Sequence, residues 1–131
     1  MLAIIPKKNI STGDLKTLRS ISNVSISEIK QAAVDQKPIK LFKEFEGSWE
    51  VDRLELARLV KEISEVQDLP YQLALVEDLE IMEFLSAEKL YDYLRHLREI
   101  ELETQRNSDL ENGYISSPDD FEPHDEDWVV V

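Results

Sequence analysis

Val24-Ser25-Ile26-Ser27-Glu28-Ile29 decides the architecture, because it starts a helix in the middle of a long amphipathic stretch. Ser25 and Glu28 have the spacing of a capping box, in which each side chain accepts from the other residue's backbone N–H, and Val24 and Ile29 make the hydrophobic staple around it. Upstream, Ile10-Ser11-Thr12-Gly13-Asp14-Leu15 repeats the chemistry, with Ser11 as cap, Asp14 at the third helical position and Ile10 stapled to Leu15. Two short helices therefore stand back to back. The first presents Leu15, Leu18 and Ile21, and the second Ile26, Ile29 and Ala33. Asn23 between them suits the left-handed conformation that ends helices, and Pro38 lies just beyond the second.

Working outward, Leu2 to Ile5, closed by Pro6, reads as a first strand. Ile39 to Phe45 has period-two character, with Ile39, Leu41 and Phe45 on one face, Phe42 on the other and Gly47 ending it. Ser48 is placed to cap a helix that carries Leu56, Leu59, Val60 and Ile63 at core spacing, with Glu50 and Asp52 in its first turn. After Pro70, Tyr71 to Val76 reads as a strand with Tyr71, Leu73 and Leu75 on one face. Glu77 to Leu85 fits either an edge strand or a helical turn. From Ser86 a last helix presents Leu90, Tyr93, Leu94, Leu97 and Ile100, and its apolar stripe fades after Leu102. The expectation is an α/β domain over residues 1–107, a small sheet packed by helices in the order β-α-α-β-α-β with one further helix, followed by an acidic tail at 108–131.

The 131 residues, 42% of them apolar, suffice for one core. Charge is distributed unevenly along them. Up to Glu46, eight basic residues face five acidic ones; from Gly47 onward, seven face 23, and the whole carries −13. Such a field repels nucleic acid and anionic lipid and attracts basic proteins. The chain has no cysteine, which suits a reducing compartment, and neither a signal h-region nor a membrane-length apolar run, so a cytoplasmic location is expected.

The run Leu15-Lys16-Thr17-Leu18-Arg19-Ser20-Ile21-Ser22-Asn23-Val24-Ser25-Ile26-Ser27-Glu28-Ile29-Lys30 resembles the paired helices of the C-terminal domain of the bacterial ribosomal stalk protein. The resemblance extends over roughly residues 1–76 through the order of elements. It implies a small interaction domain in which Lys16, Arg19 and Lys30 contact translation factors. Asn23 replaces the family's usual Gly, Ser27 replaces a frequent Lys, and the last helix and tail have no counterpart there.

Catalytic signatures are sparse. His96 and Glu99 lie one helical turn apart, and His124 sits among acids, so a small metal-dependent hydrolase is an alternative reading. The acids around His124 lack the spacing of a calcium loop, and no P-loop, nucleophile elbow or dinucleotide turn occurs. Binding fits better, with no catalytic residue, cofactor or metal expected. Asp119, Asp120, Glu122, Asp125, Glu126 and Asp127 offer charge and Trp128 an anchor for a basic protein, such as a toxin nuclease neutralised by an immunity protein. Glu77, Asp78, Glu80 and Glu83 form a second cluster able to do the same. Trp128 to Val131 also suits addition as a strand to a sheet edge, its own or a partner's.

Overall fold

The structure, a computed structural model, describes residues 1–129. Its elements are β1 (Leu2–Pro6), α1 (Thr12–Ser22), α2 (Ile26–Asp35), β2 (Lys40–Phe42), α3 (Trp49–Glu65), β3 (Tyr71–Glu77), β4 (Glu80–Leu85) and α4 (Ala87–Glu111), with a 3-10 turn at Pro118–Asp120. The mixed α/β fold and the order expected from the sequence are both present. The sheet is antiparallel throughout, in the order β2-β1-β3-β4. The strand proposed for Trp128 to Val131 lies partly outside the described residues; Trp128 and Val129 themselves are not in a strand.

Capping explains the helix pair. Ser11 accepts from Asp14 N–H while Asp14 accepts from Ser11 N–H, a complete box, and Asn23 ends α1 at φ 60°. Ser25 accepts from Glu28 N–H, but the return bond is not made. Ser48 departs from expectation: its backbone is not extended, and its hydroxyl donates to Asp52 instead of capping α3.

Alternation along the strands divides the apolar residues between two faces. Leu2, Ile4, Phe42, Tyr71, Leu73 and Leu85 join the core contributed by the helices, where Leu18, Ile29, Leu56, Leu90 and Leu94 are fully buried. Ala3, Ile5, Ala74 and Val76 form a second cluster, with Leu41 and Ile81 packed against it. The expected strand Ile39–Phe45 is shorter, and although Leu41 and Phe42 face opposite sides as expected, Ile39 lies before the strand and shares the main core with Phe42 instead of the face of Leu41. Phe42 points into the main core and Leu41 away from it, and Phe45 leaves the strand with φ 63°.

The ambiguous Glu77–Leu85 segment is a hairpin. Its two turn residues, Asp78 and Leu79, both have positive φ (50° and 66°), the signature of a turn whose twist matches the strands. Leucine is a poor choice there because its Cβ crowds the backbone. Leu79→Gly is expected to raise folding stability by about 1 kcal/mol, read from the midpoint of urea denaturation. No helix among the described residues is long and apolar enough to cross a membrane.

Candidate functional site

The last described residues fold back between α3 and α4, so the acidic segment is partly occupied by its own domain. α4 continues past the point where its apolar stripe fades because the same face carries a polar stripe, Arg98, Glu101, Gln105 and Asp109, at helical spacing. Residues 121–129 lie along that stripe as a strap. Arg98, only 1% exposed, donates from Nη1 to Asp125 Oδ1 at 2.8 Å and to Glu101 Oε1 at 3.1 Å, and from Nη2 to the Asp125 carbonyl at 3.0 Å. Gln105 adds a bond to Asp125 Oδ1 at 3.1 Å and accepts from His124 N–H at 3.0 Å.

Glu101 is the hub. It accepts from both indoles of the protein, Trp49 Nε1 at 2.8 Å and Trp128 Nε1 at 2.7 Å, and from Arg53 Nη1 at 3.0 Å. Arg53 bridges onward to Asp125 Oδ2 at 3.1 Å and lies over the Trp128 ring. The two indoles meet edge to face with centroids 5.7 Å apart, and Trp128 is 5% exposed. Arg95 holds Asp127 at 2.7 Å, and His124 Nε2 meets the Asp109 carboxylate at 2.8 Å.

Burial alone would raise the carboxyl of Asp125, but hydrogen bonds from Arg98 and Gln105, with the charge of Arg98 and a bond from Arg53, outweigh it and hold it at about 2. Burial likewise opposes ionisation of Glu101 and Asp127. Bonds from Trp128, Trp49, Arg98 and Arg53 to Glu101, and from Arg95 and Val129 N–H to Asp127, lower both carboxyls nonetheless. A carboxylate with a depressed folded pKa stabilises above its unfolded value and loses that contribution as pH falls through the folded value. The strap is therefore expected to loosen between about pH 4 and pH 2, seen as a change in tryptophan fluorescence. Asp125→Asn should flatten that acid limb; an unchanged profile would assign the transition elsewhere.

Asp125, Asp127 and Trp128 are thus engaged within the chain, and Trp128 is not an exposed anchor. Asp119, Asp120, Glu122 and Glu126 remain exposed and make no ion pair among the described residues. In the second acidic cluster, Glu83 pairs with Lys89, whereas Glu77, Asp78 and Glu80 are exposed without a cationic partner among the described residues. The two acidic clusters belong to different elements, and the ion pairs draw only the strap into the domain. Lys16, Arg19 and Lys30 are exposed on α1 and α2.

His96 and Glu99 are exposed on α4, and no hydrogen bond joins them among the described residues. His124 is committed to Asp109, and no group of three or more His, Cys, Asp or Glu among the described residues is arranged to hold a metal. Sequence reasoning missed Arg53, Arg98 and Glu101. The available signal was the polar stripe on α4, opposite in charge at Arg98 to a tail rich in Asp. Comparisons with protein-family models, with curated proteins and with solved structures return no significant match to this chain.

Proposed function

We propose that this chain is a non-catalytic acidic module that captures a basic protein, in the manner of an immunity protein neutralising a toxin nuclease in the cytoplasm. The observation that carries the reading is the surplus of free carboxylates after internal pairing. Salt bridges engage Glu44, Glu55, Glu83, Glu101, Asp109, Asp125 and Asp127, seven of 28 acidic side chains, and the rest have no ionic partner among the described residues. An uncompensated field of this sign speeds encounter with a cationic groove and competes there with nucleic acid. Capture from native cells at low ionic strength, with mass spectrometry, is expected to return a basic protein that is released by high salt and whose nuclease activity one equivalent of the chain suppresses. Recovery of only neutral or acidic proteins, or of none, overturns the proposal.

A second reading rests on Lys16, Arg19 and Lys30, which are exposed and make no ion pair among the described residues. On the stalk-domain resemblance they would contact a translation factor. Lys16→Glu with Arg19→Glu separates the two readings, because it removes this second contact and leaves capture of a basic protein intact.

A further inference from the structure

Resting on the capture of a basic protein, we infer that the outer edge of β4 is the docking element, and that it takes one extended basic segment of the partner. The direction of the main-chain groups identifies the open positions. Val76 N–H donates to the Met1 carbonyl, so even-numbered residues of β3 address β1 and odd-numbered ones address β4. Leu73, Leu75 and Glu77 pair with Leu85, Glu83 and Glu80, whose main-chain groups accordingly face inward. Ile81 and Phe84 turn theirs outward, away from β3, and β4 is an edge strand of the sheet with no further strand beyond it among the described residues.

The side chains along this edge are those of an interface. Leu79, Met82 and Phe84 are 57%, 60% and 44% exposed. Phe84 borders a cleft of about 240 Å³ of mixed character, where Ile63, Leu69 and Leu85 stand beside Lys7, Asp68 and Gln72. At the opposite end stand Glu77, Asp78 and Glu80, with Glu77 directly across from Glu80. Six extended residues cover roughly 20 Å. A segment lying on β4 therefore reaches carboxylates with one end and the cleft beside Phe84 with the other.

Charge selects the occupant. At the hairpin end Glu77, Asp78 and Glu80 stand together without a cationic partner among the described residues, so the end of an incoming segment that lies there is favoured when it is cationic. Lysine or arginine near the hairpin tip relieves the repulsion, while main-chain bonding to Phe84 fixes the segment.

The test uses the full chain labelled for NMR and the octapeptides (Lys-Val)4 and (Glu-Val)4 at low salt. The lysine peptide is expected to slow amide exchange at Ile81 and Phe84, and the glutamate peptide to leave both unchanged. The triple variant Glu77→Gln, Asp78→Asn, Glu80→Gln should weaken the lysine peptide by about tenfold or more. Its Tm should not fall, since like charges are removed; Phe84→Ser supplies an independent loss of binding. Should the lysine peptide perturb only Asp119, Asp120, Glu122 and Glu126 and bind the triple variant equally, the edge assignment fails while the capture of a basic protein stands. Absence of binding by both peptides also overturns the edge, and the capture experiment then decides the broader proposal separately.

Discussion

Arg98→Met is expected to lower folding stability by about 3–5 kcal/mol, the cost typical of removing one partner from a buried ionic group. The guanidinium joins two elements, α4 and the strap, through Glu101, Asp125 and the Asp125 carbonyl. Methionine fills similar space but leaves Glu101 and Asp125, side by side, sharing the single cation Arg53. Adding Asp125→Asn should recover part of the loss, because it removes one of the two carboxylates left in excess. Urea denaturation of both single variants and the double variant measures this, and strict additivity would mean that the pair is not coupled.

The second large effect is expected at Trp128. Trp128→Ala should cost about 3–5 kcal/mol and free the strap, since it removes a buried indole, its edge contact with Trp49 and a donor to Glu101. Trp128→Phe retains most of the apolar area and lacks only the N–H. Its cost should be nearer 1.5–3 kcal/mol, about the worth of a hydrogen bond to a charged group. Fluorescence then reports Trp49 alone, and a shift to longer wavelength in the alanine variant marks exposure of the face that the strap covers. An emission unchanged from the phenylalanine variant would mean that the strap stays docked without its indole.

Local chemistry was legible where a short stretch determines it. Ser11 with Asp14, Asn23 and Ser86 occupy the helix ends at which their side chains or left-handed backbone predict them. Tyr71 and Leu73 face the main core as alternation requires. Periodicity failed where tertiary contacts override it. Ile39 precedes β2 instead of belonging to it, so the alternation that grouped it with Leu41 fails there: Ile39 joins Phe42 in the main core while Leu41 packs on the other face. The length of α4 was hidden for a related reason. Gln105 and Asp109 look like solvent-facing residues until Asp125 and His124, some 15 to 20 positions further on, come back to meet them. The site was legible as charge and not as geometry: composition reveals a surplus of acids, but pairing of Asp125 and Asp127 with distant arginines decides which of them remain free.

The place of β1 in the sheet has a consequence for biosynthesis. Leu2–Pro6 leaves the ribosome before both its neighbours in the sheet, Lys40–Phe42 and Tyr71–Glu77. A nascent chain therefore carries an apolar segment with two open sides until Lys40–Phe42 is made and one open side until Tyr71–Glu77 follows, a period in which chaperone contact or aggregation competes with closure.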